Sequence, residues 1–129
     1  MTAKRTQIRA AVASAIASRF TTVKPYRTFL QPNQLPGACV YIVTGTPEID
    51  HESRYDYDAV MVVEMAVYGS GDLDAELDAL EEQVNADLES DMTLGGLIEG
   101  ITRAGFDSDQ DDEDAIMSLS LMFQINYEE

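Results

Sequence analysis

The most constraining feature of this sequence is an alternation of apolar and polar side chains over residues 115–127, AIMSLSLMFQINY. The odd-numbered positions are all apolar, whereas most of the even-numbered ones are polar. A period of two is typical of a strand that buries one face. The segment is long, since a strand usually has about 5–6 residues. It therefore predicts a long strand that organises a sheet, with Leu121 and Phe123 facing inward and Ser120 facing outward.

An acidic segment, DSDQDDED at residues 107–114, precedes this strand, and a weaker strand pattern covers residues 100–106. We interpret the three segments as a β-hairpin closed by a charged turn. The turn also invites comparison with a calcium-binding EF-hand loop, whose first, third and fifth positions are matched by aspartates. The sixth position requires glycine and is Asp112, and the twelfth requires glutamate and is Ser118. The pattern excludes an EF-hand and leaves loose binding of Mg²⁺ or Ca²⁺ open.

Two segments carry the spacing of an amphipathic helix. The first covers residues 3–20. Its apolar stripe consists of Ile8, Ala11, Val12, Ala15 and Ile16. The second covers residues 72–91 and begins with Asp72, a favourable N-cap. Its apolar stripe consists of Leu73, Leu77, Leu80, Val84 and Leu88.

The outer face of the second helix is acidic. Asp74, Asp78 and Glu82 stand four residues apart. Each such like-charge pair costs about 0.2–0.5 kcal/mol, so helix stability alone would favour a lysine among them. Either the charge serves solubility, or it has a role in function.

Two further segments predict strands. Residues 39–44, CVYIVT, form a continuous apolar run that predicts a central strand buried on both faces and ended by Gly45 and Pro47. Residues 57–68 alternate, with Ala59, Met61, Val63, Met65 and Val67 on one face. The opposite face is more apolar than a solvated face needs to be, so we expect a helix or another subunit to cover it. Its candidate subunit-interface residues are Val60, Val62 and Tyr68. Residues 21–38, with three prolines, are expected to be irregular.

The composition limits the function classes. Twenty-four acidic residues against eight basic ones give a formal net charge of −16. Direct nucleic-acid binding is disfavoured, because it requires Lys and Arg to neutralise phosphates. Cys39 is the only cysteine, so no intrachain disulfide can form, and its apolar surroundings predict a buried, inert thiol. His51 is the only histidine and does not make a zinc site.

The same survey finds no pattern of an enzyme or a membrane protein. No glycine-rich phosphate loop precedes a helix, and a lone histidine is a poor basis for nucleophilic catalysis. No apolar run of about 18 residues predicts a membrane span, and the N-terminal segment lacks the apolar region of a signal peptide. We expect one domain over residues 1–129, without catalytic, cofactor-binding or metal sites.

Several short sequence segments, spread over nearly the whole chain, resemble those of a known protein family. They are RAAV in the first helix, LPGACVYIVTG, VYGSGDLDAELDALEEQV, ITRAGFDSDQDDED and the final INYEE. Together with the element order, they resemble the tail terminator proteins of long-tailed phages, the lambda gpU-like family of minor tail proteins. The resemblance implies a hexameric ring in the virion tail, assembled in the host cytoplasm. That ring sits on the finished tail tube, stops further polymerisation and offers a surface to the head–tail connector protein.

We therefore expect an α+β fold: a mixed, mostly antiparallel sheet with two main helices on one face and a long C-terminal hairpin. The expected partners are further copies of the chain, the major tail tube protein and the connector, while DNA passes through the pore without specific binding. Mg²⁺ would promote assembly by screening the acidic subunits. The candidate lumen face is Asp74, Asp78 and Glu82. The candidate ring-edge contact loop is Asp107, Asp109, Asp111, Asp112, Glu113 and Asp114.

Two other functions fit the sequence. Its charge suits an acidic protein that mimics DNA and inhibits a DNA-binding enzyme, although such a mimic needs carboxylates spaced like phosphates. Its element order also suits another neck protein of similar fold, such as a tail-completion or connector protein. The position of the gene between head-completion and major-tail genes would separate these alternatives.

Overall fold

A computed structural model describes residues 3–49, 55–111 and 115–129, and these form a five-stranded sheet with two α-helices on one face. In chain order the elements are α1 (Lys4–Ile16), β1 (Thr22–Lys24), β2 (Gly37–Ile49), β3 (Tyr55–Tyr68), α2 (Leu73–Glu89), β4 (Gly100–Asp111) and β5 (Ile116–Glu128). Single 3₁₀ turns lie at Ala17–Arg19 and Pro32–Gln34. No helix among the described residues is long and apolar enough to cross a membrane.

The strand order is β1-β2-β3-β5-β4, so the last strand lies inside the sheet. β1 runs parallel to β2, and the remaining neighbours are antiparallel. β3 and β5 pair in unbroken register from Asp56 opposite Glu128 to Tyr68 opposite Ile116. The expected α+β class, with a mixed sheet and a C-terminal hairpin, is confirmed.

The alternation in β3 and β5 divides the sheet into two unlike faces. The helix face, against which α1 and α2 pack, carries the core. Its buried strand residues are Ala38, Val40, Ala59, Met61, Val63, Met65, Val67, Ile101, Leu119, Leu121, Phe123, Ile125 and Tyr127. The helices contribute Ile8, Val12, Ala13, Ile16, Leu73, Leu77, Val84 and Leu88. The register predicted for the last strand is therefore confirmed, with Leu121 and Phe123 inward and Ser120 on the other face, which we call the open face.

The second helix is also confirmed, with Asp72 as its N-cap: the Asp72 carboxylate accepts a hydrogen bond from the Ala75 amide at 3.0 Å. The first helix is shorter than predicted, because its last turn tightens into 3₁₀ geometry. Ala15, which the sequence placed in the apolar stripe, is exposed, whereas Ala13, outside that stripe, is buried. The Arg19 guanidinium donates to both carboxylate oxygens of Asp87 at 3.0 and 2.9 Å and so joins the 3₁₀ turn after α1 to α2.

Three strand predictions are wrong in extent. β2 does not end at Gly45 and Pro47 but continues to Ile49, with Pro47 opposite Tyr57. Proline is tolerated there because this part of β2 lies at a sheet edge and needs no donor on its outer side. β2 is buried on both faces only near Cys39, and Val43 and Thr44 are exposed. The short parallel strand β1 lies in the segment predicted to be irregular, because three residues are too few for a periodic signal.

The acidic turn is the third correction. Asp107, Asp109 and Asp111 lie in β4, paired opposite Ser120, Ser118 and Ile116, and not in a loop. Acidic residues have low strand propensity, but β5 is long enough to continue the pairing beyond residue 106. Asp112, Glu113 and Asp114 lie outside the described residues, as does His51.

Candidate assembly surfaces

The centre of the open face is apolar and only partly accessible. Val62 is 5% exposed, Val60 is half-buried, and Tyr68 at the end of β3 is 54% exposed. Met122 of β5 stands opposite Val62 and is also half-buried. Of the three candidate interface residues, Tyr68 therefore offers a second molecule the most surface, and Val62 the least.

The segment between β1 and β2 covers one side of this face, so the cover is a loop and not the helix that the sequence allowed. The Cys39 thiol, 2% exposed, donates to the Thr28 carbonyl at 3.5 Å. Burial raises the pKa of the Cys39 thiol, so it stays protonated and unreactive at neutral pH, as the sequence predicts. At the tip of this segment, Phe29 is 96% exposed.

A small polar network joins the same loop to the strands. The Arg27 guanidinium lies 4.0 Å from the centre of the Tyr41 ring, a cation–π contact. The Tyr41 hydroxyl donates to Glu64 at 2.9 Å. Burial, followed by this hydrogen bond to Glu64, raises the pKa of Tyr41. The network places one cation and one carboxylate beside the apolar centre.

One end of the open face gathers carboxylates. Glu48, Asp56 and Glu128 stand side by side on three neighbouring strands. Carboxylate oxygens of Asp56, Glu99 and Glu128 come within 4.8 Å of one another. Hard cations prefer oxygen ligands of this kind, and this is the one such group among the described residues, although exposed acidic groups are common without an ion. Beside it, the Asn126 amide donates a hydrogen bond to Asp58.

The opposite end of the open face is acidic too. Asp107, Asp109 and Asp111 alternate along β4 and are all exposed. Their register opposite Ser120, Ser118 and Ile116 places them on the open face. The three aspartates form a row along the outermost strand of the sheet and not the loop that the sequence predicted.

The acidic residues of α2 lie on the other side of the molecule. Asp74, Asp78 and Glu82 are exposed, and the apolar stripe of α2 faces the sheet. The two acidic clusters predicted from the sequence are therefore on opposite sides of the sheet. The structure does not bring them together into one site.

A basic surface at the β2 edge was missed by the sequence reasoning. Arg9 and Arg27 line one shallow cavity together with Val43. Arg5 and Val43 line an adjacent cavity of about 220 Å³. Val43 is 49% exposed at a register shift in β2. Arg5 and Arg9 of α1 thus meet Arg27, from the loop after β1, around one exposed valine, and no local pattern would have joined Arg27 to the other two.

Comparisons with known proteins complete the description. No curated protein matches the chain. One matching solved structure is a chain of the virion of a native gene transfer agent particle. It is 10% identical, with 96% of this chain and 92% of that chain covered and a TM-score of 0.48. The family of phage minor tail protein U matches residues 3–127. The chain belongs to this family and is a structural protein of the phage virion tail.

Proposed function

We propose that the chain, as one domain over residues 1–129, assembles into a hexameric ring that caps the phage tail tube. The ring ends polymerisation of the tube and presents a surface for head–tail joining. The observation that carries this proposal is the family match over nearly the whole chain, which makes it a minor tail protein. The element order and short phrases that resemble tail terminators support the finer role.

The physical requirements of a cap agree with the unlike surfaces of the molecule. A protein that stops polymerisation of the tube needs one surface that binds the last tube subunit. It also needs a second surface to which no further tube subunit binds. Here the helix face is filled by its own helices, and the open face has a partly accessible apolar centre between acidic ends. A closed ring also requires a heterologous interface, in which two different surface patches meet.

The acidic residues of α2 are proposed to line the lumen of this ring. Asp74, Asp78 and Glu82 are exposed on a rigid element, which would fix the spacing of their charges. Repulsion between such a wall and DNA phosphates would keep the passing DNA from binding. Screening at physiological salt confines that force to within about 8 Å.

The acidic segment 107–114 is proposed as a contact at the ring edge that is sensitive to divalent cations. Val60, Val62 and Tyr68 remain the proposed apolar part of a subunit contact. Because every subunit carries a formal charge of −16, Mg²⁺ should favour closure of the ring by screening repulsion between subunits.

Native mass spectrometry across a Mg²⁺ series, with and without isolated tube ends, tests the proposal. We expect a hexamer that becomes more abundant with Mg²⁺ and that binds the tube ends. A strict monomer or dimer, even with tube ends present, would contradict the terminator role. Hexamers that bind the connector but do not bind tube ends would instead indicate that the chain is another neck protein.

Neutralising the two acidic clusters separately tests the surfaces. The variant Asp74→Asn/Asp78→Asn/Glu82→Gln should assemble normally and impair DNA passage during infection. The variant Asp107→Asn/Asp109→Asn/Asp111→Asn removes the same charge and should change the Mg²⁺ dependence of ring formation. If both variants assemble and infect like the parent, the excess charge serves solubility alone.

A further inference from the structure

The sheet has two open edges, and both belong to long strands. β1 pairs only with residues 37–39 of β2, so among the described residues no strand pairs with the outer side of residues 40–49. At the other end of the sheet, β4 is the outermost strand. Its residues 102–111 are all exposed. Long uncovered edges are templates for pairing with another chain, and natural proteins usually cover or interrupt them.

The two edges differ in charge. Basic residues predominate near the β2 edge, where Glu48 of β2 and Glu129 beside Arg5 are the acidic exceptions, and aspartates predominate along β4. The β2 edge is flanked by Arg5, Arg9 and Arg27, with Lys24 on the adjoining strand β1. The other basic residues among those described are Lys4 at the start of α1, and Arg19 and Arg103, which form ion pairs with Asp87 and Glu89. Among the described residues, the arginines outside these two ion pairs therefore lie near the β2 edge, where Arg5 and Arg27 are exposed and Arg9 is half-buried.

The β4 edge carries the complementary chemistry. Asp107, Asp109 and Asp111 follow its open face. Phe106, on the helix-face side, is 66% exposed. The edge thus combines a row of carboxylates with an exposed aromatic ring, just as the β2 edge combines arginines with the exposed Val43.

Within one copy these edges cannot meet. β3 and β5 lie between β2 and β4, and at about 4.8 Å per strand they hold the edges roughly 14 Å apart. A direct contact between the two edges can therefore form only between molecules. A basic edge and an acidic edge at opposite ends of one sheet form a heterologous contact that repeats from copy to copy.

We propose that the β2 edge of one copy pairs with the β4 edge of the next, with Arg27 facing Asp107 and Asp109 on the open face and Arg5 on the helix-face side of the same contact. This inference rests on the proposed function and adds the two sheet edges to the surfaces that would close its ring. The strand directions agree with it, because β2 and β4 run in opposite directions and neighbours in the same orientation would pair antiparallel. Each edge then binds a second copy of this chain.

Charge reversal tests the proposal directly. Variant one, Arg5→Glu/Arg27→Glu, has two acidic edges, and variant two, Asp107→Lys/Asp109→Lys, has two basic edges. We expect each alone to lose the ring that the parent forms in native mass spectrometry. We expect their mixture to recover rings that contain equal numbers of the two variants, because only an alternating order then places opposite charges at every contact.

A matched control separates this effect from net charge. Asp74→Lys/Asp78→Lys changes the charge by the same amount as variant two, but on the outer face of α2, and should form rings like the parent. Circular dichroism of each variant monomer tests whether that variant is folded. All four substituted acids or bases of the two test variants are exposed, so their replacement leaves the core intact.

The outcomes distinguish the inference from the function on which it rests. If the parent forms rings and both test variants do so equally well, the inference is overturned and the proposed function stands. If the variants form rings but no longer bind tube ends, the edges bind the tube protein, and the inference is again overturned. A parent that stays monomeric with tube ends present overturns both.

Discussion

The two faces of this sheet are built from the same strands but differ in how far their side chains are buried. On the helix face, successive inward residues of β3 and β5 are buried under α1 and α2, and Met61 and Ile125 are completely inaccessible. On the open face, the alternate residues of the same strands are mostly half-buried, with a loop over one side and carboxylates at both ends. Most of the core therefore lies on one face, and the surfaces proposed for assembly lie on the other face and at the edges.

The largest effect should come from emptying the helix face. Phe123→Ala removes a side chain that is 3% exposed, and should lower the free energy of unfolding by about 3–5 kcal/mol, as large-to-small core changes do. Ser120→Lys is the control on the open face, where register places it between Glu64 and Asp107, and it should leave the melting temperature nearly unchanged. Urea denaturation measures the free energy of unfolding of Phe123→Ala, and thermal unfolding measures the melting temperature of Ser120→Lys. The reverse ranking would mean that the two faces of β5 are exchanged.

A smaller effect should follow from weakening the helix layer at the start of α2. Asp72→Ala removes the side-chain oxygen that accepts from the Ala75 amide, and should cost about 1 kcal/mol. Asp74→Ala, also at the exposed start of the helix, makes a matched control, because it removes a repulsive neighbour of Asp78 and no cap. Thermal unfolding of the two variants compares them. Equal losses would show that the cap does not stabilise α2.

The smallest effect should have the opposite sign and lies on the open face. Asp56 stands between Glu48 and Glu128 on neighbouring strands, and like charges directly opposite one another are unfavourable. Asp56→Asn should therefore stabilise the monomer by about 0.2–1 kcal/mol. Glu76→Gln removes the same charge from the first turn of α2, where the helix dipole favours an acid, and should be slightly destabilising. If Glu76→Gln stabilises equally, relief of net charge explains both results.

The sequence predicted the helix face well, because its signals are local and periodic. The alternation at Leu119, Leu121 and Phe123 fixes both the strand and its inward side. The spacing from Leu73 to Leu88, together with Asp72, does the same for α2. Strand ends were predicted less well, since Pro47 and the aspartates after Phe106 favour loops locally, whereas pairing with β3 and β5 extends both strands.

The candidate surfaces depend on topology and were only partly predictable. Asp74, Asp78 and Glu82 could be grouped from helical spacing alone, and they are exposed as expected. Arg5, Arg9 and Arg27 meet around Val43 only because α1 and the loop after β1 both adjoin the β2 edge. The strand order cannot be read from the sequence, and without it the two charged edges cannot be identified.

The central claim, that this chain caps the tail tube, is tested most directly by the length of tails made without it. Electron microscopy of particles from a phage with this gene disrupted should show tubes that extend beyond the normal length and carry no heads. Supplying the intact protein from a plasmid should restore a single length and head attachment. Tails of normal length without the protein, whether joined to heads or not, would contradict the account.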